Sequence, residues 1–288
     1  MKINYTYQLV ISGIRVIRNE GWASFWFKMR SWLKQRSNRP LFVPTGDCST
    51  ENAAAIGAGV TRTPSVLDRR YIAEIYLKGA GIEIGACHVP LTIPKHVKVK
   101  YVDKFCSSEL RKRYPELGSA KIVNTDIIDD GELLAKIADK SQDFVIANHF
   151  LEHCQDPIGV ISNMLRVLKN GGILYMAVPD KRFTFDADRP ITPIEHLIKD
   201  YGDHGMGSRR AAFEEAIRYV GKVKGDAEVE SEIIRLMNRD DSIHYHAWTQ
   251  VEIVELILTL KKTLGFNFEI ELLYKRGNEL ITVLTKTG

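Results

Sequence analysis

The sequence predicts an α/β protein built on a doubly wound, largely parallel sheet. Strand-like apolar runs alternate with helical stretches from residue 65 onwards, the pattern of a sheet with helices on both faces. The first three runs each close on a glycine or an acid, which the fold brings to one edge. At the C-terminal end two strand-like runs meet at Arg276-Gly277-Asn278, which reads as a tight antiparallel hairpin.

Taken in order, a helix is expected over 65–77 and strands over 81–85, 97–102, 121–126, 144–148 and 173–178. Helices are expected over 107–114, 131–138 and 157–169. The last is well signalled, with Asp156 as N-cap, Pro157 in the first turn and Gly171-Gly172 past the end. Residues 181–247 break the rhythm as a long, polar, mostly helical insert. Within it, Thr192-Pro193-Ile194-Glu195 reads as a capping box. A second, Thr249-Gln250-Val251-Glu252, opens a helix running to about Lys262. The final strands are expected over 267–274 and 280–284.

The first 63 residues differ. Residues 1–36 read as one or two helices broken near Gly21, with three tryptophans among basic side chains, and 37–63 as a linker. This divides the chain into an N-terminal helical extension, 1–63, and a domain, 64–288, with its insert at 181–247. The net charge of +4 is uneven: residues 1–40 hold eight Lys/Arg and one acid, leaving 32 basic and 35 acidic residues in the remainder. The body therefore lacks the basic footprint of a nucleic-acid partner. The extension has two readings, a helix lying on an anionic membrane surface or an arm packed on protein.

With 44% hydrophobic and 26% charged residues, the chain has the composition of a globular protein with a core. The four cysteines, Cys48, Cys87, Cys106 and Cys154, form no close pair. That fits neither a zinc site nor a disulfide framework, and favours a reducing compartment. No apolar run is long enough to span a membrane, and the N-terminus lacks the regions of a signal peptide. A cytoplasmic protein is expected, peripheral on the cytoplasmic face of a membrane if residues 1–36 bind lipid.

The chemistry concentrates at the ends of the strands. Gly85 leaves the first strand, and a glycine there lets backbone approach a ligand closely. Asp103, 18 residues later, ends the second strand, where an acid can accept from both hydroxyls of a ribose. Asp126 ends the third, where a carboxylate can accept from an adenine amine. Only 11 residues, Ala86 to His96, separate Gly85 from the second strand, and they include Pro90 and Pro94. No ordinary helix fits there. A dinucleotide needs that helix's N-terminus for its pyrophosphate. S-adenosylmethionine has no phosphate and does not.

Glu83-Ile84-Gly85-Ala86, Asp103, Thr125-Asp126 and Asn148-His149-Phe150-Leu151-Glu152-His153 ahead of the 157–169 helix resemble class I S-adenosylmethionine-dependent methyltransferases. Leu168-Lys-Asn-Gly-Gly172 and Val178-Pro179 add to the likeness, which spans roughly 65–180 and the ending at 249–286. The resemblance implies a Rossmann-like seven-stranded sheet with a reversed last strand. It also implies Glu83 and Gly85 near the methionyl part, Asp103 on the ribose, Asp126 and Ile127 at the adenine, and Ala86 and Lys104 also at the cofactor. Asn148 and His149 would then lie beside the sulfonium. This chain departs from the family at Cys87 and Val89, which replace glycines, and in the missing first helix.

The expected reaction is methyl transfer to a small or glycosyl acceptor, lipid-linked if the extension binds membrane, at oxygen. The sugar is suggested by the polar insert, the N-terminal arm and a general resemblance to methyltransferases of cell-surface polysaccharide pathways. Candidates for proton transfer are His149, His153, Asp180 and His246, and no metal is expected. His244-Tyr245-His246-Ala247-Trp248 also reads as structural packing. Asp186, Asp188 and Arg189 read either as an acceptor site or as surface salt bridges. The competing functions are a nicotinamide-dependent oxidoreductase, disfavoured by the lack of a Gly-x-Gly-x-x-Gly run, and a non-catalytic partner subunit.

Overall fold

The computed structural model describes residues 67–288; the expected extension over 1–63 lies outside them. Seven strands form one sheet: β1 Ala80–Ile84, β2 Lys98–Asp103, β3 Ile127–Ile128, β4 Gln142–Asn148, β5 Leu168–Pro179, β6 Phe268–Arg276 and β7 Glu279–Lys286. Their order is β3-β2-β1-β4-β5-β7-β6. β1 to β5 pair in parallel, while β7 runs antiparallel to both β5 and β6. The Rossmann-like architecture with the reversed last strand is thus the one expected, and the β6–β7 hairpin turns at Gly277 with φ +57°.

The helices are α1 Arg69–Tyr76, α2 Ser107–Arg113, α3 Pro157–Val167, α4 Ile194–Asp203, α5 Arg209–Glu215, α6 Asp226–Asn238 and α7 Gln250–Lys262. They cover both faces, and the two-residue period of the central strands explains why both are apolar. Val145 and Ala147 of β4, with Leu174, Met176 and Val178 of β5, face α3 and α7. Phe144 and Ile146, with Tyr175 and Ala177, face the core that holds Ile72 and Leu77 around α1. Asp156 caps α3 by accepting from Gly159 N at 2.8 Å, with Pro157 in the first turn. The second capping box is also present, Thr249 and Glu252 closing the start of α7.

Four expectations are corrected. The strand expected over 121–126 is irregular, and β3 is only Ile127–Ile128. The helix expected over 131–138 is a set of turns. Asp129 accepts from Asp130 N and Lys136 N, and Asp130 from Glu132 N, so carboxylates take the amides a helix would use. Thr192 does not cap α4. Pro193 is the N-cap without a side-chain bond, and Thr192 Oγ1 accepts from Ala247 N at 3.0 Å instead. α3 stops at Val167, and Leu168 onwards joins β5.

The insert is helical as expected, but it carries its own apolar core of Phe213, Ile217, Val229, Ile233, Leu236 and Ile243. Arg189 and Asp186 are both buried and paired at 2.9 Å. Arg189 also reaches Glu215 at 2.7 Å and the carbonyls of His244 and Tyr245 at 2.9 and 3.2 Å. The expected acceptor site or surface network is therefore an internal clamp on the insert, with only Asp188 exposed, paired to Lys222. Among the described residues, no helix is long and apolar enough to cross a membrane.

Candidate functional site

The strand order reverses between β1 and β4, and a cavity of about 530 Å³ opens beyond their carboxyl ends, where open α/β sheets bind ligands. Its size suits a drug-sized molecule. Ile84 and Gly85 line it from β1, Asp103, Lys104 and Phe105 from β2, and His149, Phe150 and His153 from beyond β4. Asp130, Gly131 and Glu132 form a further wall, and Arg239 to Ser242 with Tyr245 cover it from the insert.

Each wall has a local cause. Gly85 turns at φ +64°, a left-handed conformation that favours glycine. The chain from Gly85 to Val97 contains no helix, so no helix N-terminus is available for a pyrophosphate. Asp103 Oδ1 accepts from Phe105 N at 3.2 Å, which fixes the carboxylate at the cavity edge. The insert is tied across this edge by Lys104 to Asp240 at 3.1 Å and by Arg113 to the carbonyls of Arg239 and Asp240.

The expected cofactor residues divide. Gly85, Asp103, Lys104 and His149 line the cavity; Glu83, Ala86, Asp126, Ile127 and Asn148 do not. Glu83 projects to the opposite face from Ile84 and is buried, its Oε1 accepting from Leu91 N at 2.9 Å. It ties down the loop after β1, and burial pushes its carboxyl up to about 7. Asp126 Oδ2 accepts from Tyr101 N at 2.8 Å, which holds the β2–β3 edge together. Asp130 and Glu132 line the cavity wall. Burial, and then the nearby Asp130, raise the Glu132 carboxyl to about 7. Asn148 lies just behind the wall, and its Oδ1 and Nδ2 are buried without a hydrogen-bond partner. Such an orphaned amide is costly where it stands.

Of the expected proton carriers, His149 and His153 reach the cavity and Asp180 and His246 do not. His149 sits at φ +51° with Nε2 3.0 Å from Glu279 Oε2 and Nδ1 3.4 Å from Glu152 Oε1. Arg69 Nε donates to the other oxygen of Glu279 at 2.8 Å. Burial alone would lower the His149 pKa, but the two carboxylates outweigh it and the net shift is upward. Glu152, whose burial opposes ionisation, is drawn down to about 2 by His149 and the other histidines. The result is a buried chain, Arg69–Glu279–His149–Glu152, in which His149 lies between two carboxylates and Glu279 also takes Arg69.

His153 is different. Its Nδ1 lies 2.9 Å from Ile243 O and 3.0 Å from Ser242 Oγ. A carbonyl only accepts, so Nδ1 carries the proton and Nε2 is the basic nitrogen. Asp180 caps the short turn Lys181–Phe183 and is bound by Arg182 Nε at 2.9 Å. His246 is buried against Trp248, and burial lowers its pKa to about 3. Sequence reading passed over Arg69 and Glu279, which lie far from the motif. Glu152 stood in the motif three residues from His149, and that spacing on a tight turn was its signal.

Residues 80–176 match a family model described as a methyltransferase domain. No curated protein matches the chain by sequence. Among solved structures, a methyltransferase of Thermotoga maritima described as a possible histamine N-methyltransferase is 17% identical, with TM-score 0.40 over 76% of this chain and 90% of that one. A Methanosarcina mazei methyltransferase is 20% identical, with TM-score 0.39 over 77% and 99%. A plantazolicin methyltransferase holding S-adenosylhomocysteine is 12% identical, with TM-score 0.38 over 73% and 77%. Those scores are too low to carry weight on function, which falls to the family match and the site. Residues 80–176 thus match a methyltransferase domain.

Proposed function

We propose that this chain transfers a methyl group from S-adenosylmethionine to a hydroxyl oxygen of a small or glycosyl acceptor within the cavity beyond β1, β2 and β4. The observation that carries the reading is the convergence of Gly85, Asp103 and His153 on that one cavity. The donor supplies an already activated methyl on a sulfonium. The protein's part is to orient, to exclude water and to move a proton.

Asp103 suits the ribose hydroxyls, and Asp130 and Glu132 the adenine amine. Phe105, Leu110 and Leu117 give this end its apolar wall. The insert residues Arg239 to Ser242 and Tyr245 give the cavity a polar cover that suits a hydroxylated acceptor. His153 takes the acceptor's proton at Nε2, since the Ile243 carbonyl holds the other ring nitrogen protonated. His149 serves as a fixed element of the wall, because both its nitrogens already face carboxylates. The basic extension at 1–36 would carry a lipid-linked acceptor's membrane to this site.

Transfer of labelled methyl to a panel of glycosyl and small hydroxylated compounds tests this. His153→Ala is expected to lower kcat about 10²- to 10⁴-fold with S-adenosylmethionine affinity unchanged. An unchanged kcat removes His153 from proton transfer, and label recovered only on nitrogen or carbon contradicts the oxygen assignment.

A further inference from the structure

Behind the Gln155 wall of the cavity, three potential metal ligands converge. His196 and Asp200 are i and i+4 on α4 and share one face. His246 comes from the extended segment ahead of α7. Asp200 is fully buried, yet its Oδ2 has no hydrogen-bond partner. His196 Nε2 lies 3.0 Å from that oxygen and His246 Nε2 3.8 Å. Ligand atoms of the three residues all fall within 4.8 Å of one another.

We propose that His196, Asp200 and His246 bind a divalent transition-metal ion of the zinc class, which staples α4 of the insert to the segment leading into α7. Two imidazoles and one carboxylate are a zinc donor set that leaves a fourth position for water. Bonds of about 2.0–2.2 Å in a tetrahedron space the ligand atoms about 3.4 Å apart, between the two separations observed. Nitrogen donors disfavour magnesium and calcium. The second carboxylate oxygen, Oδ1, is fixed by Ser208 Oγ at 2.6 Å, the outer-shell support that metal carboxylates have. His196 is 37% exposed, which provides the entry path and the open position. His246 Nε2 also sits 3.3 Å from Gln155 O, a long contact that a metal bond replaces at little cost. As it stands the buried Oδ2 faces two imidazoles without a hydrogen bond, and an ion among them would bind all three. His246 lies far from α4 in sequence, so spacing alone did not show the set.

The inference does not depend on the methyl-transfer reading, and its test needs no activity. The full-length chain, stripped with chelator, is titrated with Co²⁺ and followed by visible absorption, then displaced with Zn²⁺. The expected result is saturable binding with a tetrahedral cobalt spectrum and a rise in Tm with Zn²⁺. His196→Ala, a change at a partly exposed helix position, is expected to weaken binding more than about tenfold and to abolish the rise in Tm. Its circular dichroism should match wild type. His196→Cys should restore binding and add a thiolate-to-cobalt charge-transfer band. No saturable binding in wild type overturns the proposal, as does wild-type affinity in His196→Ala. Binding kept in His196→Ala but lost in Glu152→Gln overturns it too, by placing the ion at Glu152, His153 and His244.

Discussion

Replacing Glu279 with Gln breaks the buried charge chain at its centre while nearly preserving volume. The Glu279 side chain is 4% exposed and receives both Arg69 and His149, themselves 22% and 19% exposed. Removing one member of a buried ion pair strands its partners and costs about 3–5 kcal/mol. A domain is stable by about 5–15 kcal/mol in all, so the loss should be plain in a urea unfolding curve at pH 7. The sign of the pH dependence follows from the folded-state shift. Burial would raise the Glu279 carboxyl, but Arg69 and His149 overcome this and hold it below its ordinary value of 4.5. Its contribution is therefore complete above about 4.5 and is lost as pH falls through the lower folded value. The gap between wild type and Glu279→Gln should narrow as the pH drops below about 4.5. A double-mutant cycle with Arg69→Met should show strong coupling. A loss under about 1 kcal/mol at pH 7, or a gap that does not change with pH, would refute the charge chain.

Other consequences follow from the same packing. Thr249→Ala removes the cap and half of the capping box of α7, and should cost about 1 kcal/mol by urea unfolding. Arg189→Met leaves the buried Asp186 with His244 as its remaining charged partner and frees two carbonyls. It should cost about 3–5 kcal/mol and raise amide exchange in the insert, around Phe213 and Ile233, before the sheet.

The sheet and its reversed ending were legible because the signals were local. Buried strands read as apolar runs, the Arg276-Gly277-Asn278 turn marked the hairpin, and Pro90 and Pro94 excluded a helix after β1. Gly85 and Asp103, each at the end of a clear strand, line the cavity, and Asp126 does not. The strand expected there frays, and its carboxylate closes on Tyr101 N, leaving the wall to Asp130 and Glu132. The 131–138 segment reads as a helix by composition, but Asp129 and Asp130 capture its amides. Thr192 satisfies the capping-box pattern yet spends its hydroxyl on Ala247 N. The Arg69–Glu279–His149 contacts join residues from both ends of the domain, and no spacing in the sequence announces them.

Calorimetric titration of the full-length chain and Asp103→Ala with S-adenosylmethionine, S-adenosylhomocysteine and NADH reads the cavity's ligand directly. Only the two adenosyl compounds should bind wild type. Each charged hydrogen bond to the ribose is worth about 1.5–3 kcal/mol, so Asp103→Ala should weaken them at least tenfold. Binding of NADH, or adenosyl affinity unchanged in Asp103→Ala, would contradict the assignment of this cavity.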